Sequence, residues 1–185
     1  MEVELPYSKE KFSVPSNLFI IGTMNTADRS IEALDTALRR RFTFIEMLPD
    51  PEMILDHGKT GGVVESIELV KLLFTINKRI EKLIDKDHQI GHSYFLSIRK
   101  FNDLVEVFKN KVIPLLEEYF YGDFGKIGLV LGEDFVVEQP KTDFDFADFK
   151  GIDPDIISDL KERKVYHISD PESWSIDSFK RIYNS

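Results

Sequence analysis

Two short stretches carry the residue types that chemistry on a phosphate requires. The first is Ile21-Gly22-Thr23-Met24-Asn25-Thr26-Ala27-Asp28-Arg29-Ser30, a run of small amide, hydroxyl and carboxylate side chains that directly follows an apolar segment. At the carboxyl end of a buried strand, where open α/β sheets bind ligands, Asn25 and Thr26 are placed to orient a water or a phosphate. Thr26, Asp28 and Ser30 serve equally well to cap a following helix, because their oxygens accept from its free amides. The second stretch is Leu38-Arg39-Arg40-Arg41-Phe42. Arginine stays charged and offers a planar fork to phosphate oxygens, so a cluster at an edge can reach into a neighbouring subunit's nucleotide site. The competing reading is relief of a helix macrodipole, worth about 0.3 to 1 kcal/mol per cation; three in succession exceed what a cap needs.

Three other motifs fail on their chemistry. Gly58-Lys59-Thr60 resembles the end of a phosphate loop, but Met53 stands where that motif needs a further glycine. The residues before it are also not a buried strand, so the segment reads as an exposed turn. His88 and His92 have the spacing of a zinc helix. Residue 89 is Gln rather than Glu, and Gly91 would interrupt the helix that must present both rings. The segment Ile90-Gly91-His92-Ser93-Tyr94-Phe95 reads instead as a junction between helices, either a turn with aromatic anchors or a place whose polar groups face a ligand. The run Asp143-Phe144-Asp145-Phe146-Ala147-Asp148-Phe149 lacks the glycine of a calcium loop and reads as solvated surface.

The elements that must position these residues follow from hydrophobic period. Asn17-Leu18-Phe19-Ile20-Ile21-Gly22 is a short apolar run of the kind found in a buried parallel strand. Ile31, Leu34, Ala37 and Leu38 have helical spacing, with the arginines at the end, and Phe42 to Met47 predicts a second strand closed by Pro49 and Pro51. Strand, helix and strand make a βαβ unit. After Gly61-Gly62, Ile67, Val70, Leu73, Phe74, Ile80, Leu83 and Ile84 predict one amphipathic helix. Leu104, Phe108, Val112, Leu115, Leu116 and Tyr119 predict another, kinked or restarted at Pro114. Two short helices are expected near 156–160 and 176–182. The fold class is therefore α/β followed by α-helical, with expected divisions at 1–50, 51–135 and 136–185.

Composition narrows the function classes. Among 185 residues, 42% are apolar, enough to bury a core, and 24 Lys and Arg against 33 Asp and Glu give a net charge of -9. That sign does not suit a domain gripping a nucleic-acid backbone by itself. The absence of cysteine excludes disulfides, thiolate zinc and cysteine nucleophiles, and fits a reducing, cytoplasmic compartment. No apolar run reaches the roughly 18 residues of a membrane span.

From Phe12 through Ser30, and again through Ala37-Leu38-Arg39-Arg40-Arg41-Phe42, Gln89-Ile90-Gly91-His92-Ser93-Tyr94-Phe95 and Ile113 to Asp123, the chain closely resembles the McrB family of AAA+ motor proteins. The resemblance covers residues 12 to about 135 and implies a partial AAA+ core of sensor strand, helix, finger and strand, followed by a helical lid; the tail matches only loosely. It implies that Asn25 is the sensor that positions the attacking water and that Asp28 supports it. Arg40 and Arg41 would be fingers acting on the neighbouring subunit, with Thr26, His92 and Ser93 near the nucleotide. Family members use GTP, with Mg2+, where most AAA+ proteins use ATP. They form hexameric rings and drive an McrC-like nuclease subunit on DNA containing methylated cytosine. The phosphate loop and magnesium-binding acidic strand of the family are not in this sequence. The chain is thus expected to be the second half of the motor module, unable to bind or hydrolyse nucleotide alone, with DNA held through other regions. An ATP-dependent MoxR-like chaperone and a non-catalytic acidic adaptor remain the rival expectations.

Overall fold

The computed structural model describes residues 2–24, 40–140, 145–147 and 149–184. The chain divides into two compact units, Met1–Phe42 and Thr43–Ser185.

In the first unit a hairpin pairs β1 (Glu2–Glu4) antiparallel with β2 (Lys11–Ser13), in the register Val3 opposite Phe12. Beyond it, residues 18–24 carry no strand, and Phe19 and Ile21 are 84% and 93% exposed. This corrects the expectation of a buried strand over Asn17–Gly22. A central parallel strand needs partners on both edges and cover on both faces, and the described residues supply neither. The predicted helix over 31–38 lies outside the described residues.

The second unit begins with residues 43–50 in no regular structure, which corrects the expected strand over Phe42–Met47; Ile45 and Met47 are exposed. The physical reason is the same, since no neighbouring strand among the described residues offers hydrogen bonds to this segment. The architecture is therefore mixed α and β, with three two-stranded antiparallel sheets among the described residues and helices carrying the core.

That core is built on one helix. α1 (Met53–His57) buries Ile54 and ends at Gly58, so Gly58-Lys59-Thr60 is the turn that follows, with Lys59 exposed. β3 (Val63–Val64) and β4 (Ile67–Glu68) form a minimal hairpin. Its two connecting residues, Glu65 and Ser66, both take positive φ, the geometry that matches strand twist in two-residue turns. α2 (Leu69–Leu83) then buries Leu69, Leu72, Leu73, Ile76 and Ile80, positions spaced three and four apart. The buried face is rotated from the expected stripe: Phe74 is 54% exposed, with the Lys78 ammonium 5.9 Å from its ring centre. Leu69, Leu72 and Ile76 occupy the core instead because α2 packs against helices on that side.

α3 (Phe101–Val107) runs through a π-helical turn, Phe108–Val112, into α4 (Ile113–Tyr119). Pro114 explains the turn. Its ring and missing N–H disrupt the normal ladder, and the Ile113 N–H donates to Phe108 O, one residue further back than in an α-helix. α5 (Phe124–Leu131) starts at Asp123, whose carboxylate accepts from the Lys126 N–H at 3.2 Å. β5 (Val136–Glu138) pairs antiparallel with β6 (Tyr166–Ile168). Between them lies α6 (Pro154–Glu162), capped by Asp153 and burying none of its residues. α7 (Ile176–Asn184) closes the unit against α2.

The C-terminal segment is part of the same core as the middle helices. Phe108 and Phe179 meet edge-on with ring centres 4.8 Å apart, and Phe135 lies 5.1 Å from both Trp174 and Phe179. Edge-to-face pairs of this kind add about 0.5 to 1.5 kcal/mol beyond the area they bury. Polar ties reinforce the seam. Trp174 Nε1 donates to Ser169 Oγ at 2.8 Å, Ser169 Oγ donates to Asp134 O at 2.6 Å, and Arg181 binds both carboxylate oxygens of Asp134 at 2.6 and 2.8 Å.

Candidate functional site

The polar residues that the second unit brings together lie where α2 ends and the chain runs on to Phe95. Asn77, on the inward face of α2, is 5% exposed and spends its side chain on the backbone of Ile90. Its Nδ2 donates to Ile90 O at 2.9 Å, and its Oδ1 accepts from the Ile90 N–H at 2.7 Å. Ile90 is itself buried, so the pair satisfies two backbone groups that no regular element could reach. This amide is a buried polar group with a purpose: it pins an extended segment against the helix.

C-terminal to α2 a short 3-10 turn, Lys86–His88, is capped by Asp85. The Asp85 carboxylate accepts from the Asp87 and His88 N–H groups at 2.9 and 3.2 Å and meets His88 Nδ1 at 2.7 Å. These bonds, that from the His88 ring foremost, hold the Asp85 carboxyl below the ordinary aspartate range. The His88 ring stands edge-on to Tyr119 at 4.8 Å, and burial pushes the Tyr119 phenol up to about 12. Lys86 pairs with Glu46, which ties residues 43–50 to this corner. Arg79, two residues beyond Asn77 on α2, donates to Val130 O at 2.7 Å, and burial lowers its pKa.

Beyond Ile90, Gly91 is extended, with φ -69° and ψ 141°, and His92–Phe95 form a 3-10 turn that ends on the buried Phe95. His92 is thus held between two buried anchors. Its Nδ1 accepts from the Asp50 N–H at 3.1 Å. A ring nitrogen that accepts carries no proton, so the neutral ring has its proton on Nε2, directed away from the Asp50 bond. Ser93 beside it is exposed. His88 and His92 lie on separate turns, one ring committed to Asp85 and the other to Asp50. Among the described residues no group of three His, Asp or Glu is arranged to hold a metal ion.

The remaining sequence-derived candidates are distributed differently. Asn25, Thr26 and Asp28 lie outside the described residues. Arg40 and Arg41 occupy an exposed turn at the end of the first unit, and no carboxylate among the described residues pairs with either. The Ile90–Phe95 junction is where the sequence placed it. Asn77 and Asp85 were not singled out from sequence. An Asn on the apolar face of a predicted helix is the one signal that points to the first, and an Asp just after the last helical residue points to the second.

The second unit is thus helix-built: one amphipathic helix packs with a kinked pair and carries at its end a junction held by Asn77. The sequence profile described as "McrB, alpha-helical lid domain" matches residues 68–128, from β4 into α5. Over 139 residues the chain is 41% identical to the Type IV methyl-directed restriction enzyme EcoKMcrB subunit of Escherichia coli (strain K12), covering 65% of this chain and 30% of that protein. Over 114 residues it is 32% identical to the Type II restriction enzyme BsuMI component YdiS of Bacillus subtilis (strain 168), covering 59% of this chain and 33% of that protein. The chain thus spans about a third of either relative. Its residues 68–128 match the McrB lid family, and the longer aligned stretches are similar to these two restriction-system components. No helix among the described residues is long and apolar enough to cross a membrane.

Proposed function

We propose that this chain supplies the sensor, the arginine fingers and the lid of a GTP-hydrolysing AAA+ motor subunit in a modification-dependent restriction system. The observation that carries the reading is the lid profile on residues 68–128, laid over a folded helical unit whose clamped junction presents His92 at its surface. The printed names of both relatives, each a component of a restriction enzyme, support the biological setting.

In this reading Asn25 orients the attacking water in its own subunit, with Asp28 and Thr26 beside it. Arg40 and Arg41, left without carboxylate partners among the described residues, act on the nucleotide of the next subunit in a homo-hexameric ring. His92 and Ser93 contact the nucleotide from the lid. A phosphate loop is absent from these 185 residues, and no described cluster fits Mg2+. The phosphates and the metal are therefore held by polypeptide that these residues do not include, and the activity belongs to the assembled motor. An McrC-like nuclease and DNA carrying 5-methylcytosine are its partners, the DNA contacts lying outside this chain.

Turnover of GTP and ATP by the assembled motor, with and without its nuclease partner, tests the reading. GTP turnover stimulated by the nuclease is the expected result. Exclusive use of ATP transfers the chain to the MoxR-like chaperones, and binding of a partner with no turnover of either nucleotide transfers it to the adaptors.

A further inference from the structure

We propose that the outer edge of β6, with the cleft beside it, docks an extended acidic segment of a partner protein by strand addition. The surface shares no residue with the Asn77-held junction or the arginine turn, and its role is independent of the nucleotide reading above.

The edge follows from the register of the last sheet. β5 and β6 pair only with each other among the described residues, so each has a side without a neighbouring strand. In an antiparallel ladder alternate residues bond the partner strand, and the others direct N–H and C=O the opposite way. Gln139 N–H donates to Val165 O at 2.8 Å and Ser169 N–H to Phe135 O at 3.0 Å, with Val137 opposite His167. Residues 165, 167 and 169 therefore face β5, while Lys164, Tyr166 and Ile168 present their backbone groups outward. Such a row of N–H and C=O groups is a template for another strand. Its repeat of about 7 Å matches an extended backbone, whose own groups recur at the same interval.

Room for that backbone lies alongside. A cavity of about 410 Å³ is bounded on one side by residues 163–166 and on the other by the turn Tyr121–Gly125 that enters α5. Volumes from about 300 to 1,000 Å³ are those that receive ligand groups. Nothing stands within 4 Å of where a side chain on Gly122 would begin, so the wall opposite β6 is open to incoming side chains. Next to it Tyr121, at φ 52°, holds a ring that is 98% exposed, the residue type enriched where proteins meet.

Charge sets the sign of the segment. Lys164 Nζ already binds Glu138 Oε2 at 2.7 Å, and Asp123 is committed to the Lys126 N–H and ammonium. The Arg163 guanidinium has no partner among the described residues. Its planar fork takes a carboxylate through two parallel hydrogen bonds, so an Asp or Glu on the incoming strand completes the one unpaired charge that lines the cleft. Cations at an edge can also serve only to repel chance strands, and the experiment separates the two roles.

Random heptapeptides displayed on phage are selected on the full chain. The enriched sequences are expected to lack proline, to be rich in β-branched residues and to carry Asp or Glu. A fluorescein-labelled copy of the best binder is expected to lose at least about tenfold in affinity on Arg163→Glu and to keep part of it on Arg163→Lys. Lys164→Pro removes one outward N–H and spares the β5 ladder; Arg163 already has ψ 127°, which a following proline requires, and binding to this variant is expected to fall by a similar factor. Methylating the peptide nitrogens one at a time should abolish binding at alternate residues and leave it nearly unchanged at those between, a period that only a strand produces. No enriched sequence, a basic consensus, or equal loss at every methylated nitrogen overturns the inference. Self-association of the chain that Lys164→Pro abolishes would make a second copy the occupant and overturn the assignment to a partner protein. Should a variant fold poorly, the methylation series on the unaltered chain still decides.

Discussion

Asn77 and Ile90 exchange two hydrogen bonds across thirteen residues of sequence, and both residues are buried. The amide of a helix side chain here replaces the backbone partner that a strand would have supplied, which is how an extended junction can lie against a helix without leaving a buried N–H or C=O unpaired.

Replacing Asn77 by Leu keeps the bulk and orphans both Ile90 groups. An unsatisfied buried group costs about 1 to 3 kcal/mol, so Asn77→Leu is expected to lose about 3 kcal/mol in urea unfolding. A change within experimental error of zero would show that water replaces the amide.

The Asp85 carboxyl, held below its ordinary value of 3.8 by His88 and two backbone amides, makes a pH prediction. A depressed folded-state pKa contributes stability that is present above the unfolded value and is lost as pH falls through the folded one. Thermal unfolding of the protein and of Asp85→Asn should therefore differ at pH 6 and converge as the pH drops below about 4. A gap that persists unchanged to pH 2.5 would mean that the carboxylate charge plays no part.

The C-terminal helix α7 is held by its aromatic residue more than by its ion pair. Phe179 is fully buried among Phe101, Phe108, Phe135 and Trp174, and a Phe→Ala change at such a site costs about 3 to 5 kcal/mol. Arg181, though bidentate on Asp134, is exposed and screened by solvent. Arg181→Met is expected to shift the unfolding midpoint far less than Phe179→Ala, and the shift should fade in molar salt. The reverse order of the two effects would refute this account.

In the assembled motor, Arg40→Ala and Arg41→Ala are each expected to slow turnover by orders of magnitude while nucleotide affinity stays near that of the unaltered protein. Trans-acting arginines stabilise charge that develops only in the transition state. Single-turnover rates and equilibrium binding on the same preparations check this. Parallel loss of both quantities, or loss of neither, removes the finger assignment.

Much of the helical unit was legible because period is a local property. The spacing of apolar residues announced α2, the α3 to α4 run, and two short helices later found as Pro154–Glu162 and Ile176–Asn184. Pro114 announced a break, and the structure resolved it as a π turn. Strands were a different matter. The runs at 17–22 and 42–47 have strand composition, but a strand exists only with a partner edge, and the described residues of this chain supply none to either run.

The residue types alone determined that this chain has helices with an apolar stripe, a polar run after Ile21, an arginine cluster at 39–41 and no phosphate loop. These follow from periodicity, charge and motif spacing, which need only neighbours in sequence. Tertiary structure decided which face of α2 is buried, that the last twenty residues complete the core of the middle helices, and that Asn77 and Asp50 hold the Ile90–His92 segment. Each of these depends on groups far apart along the chain satisfying one another's hydrogen bonds or apolar surface, and no local pattern records which distant group will arrive.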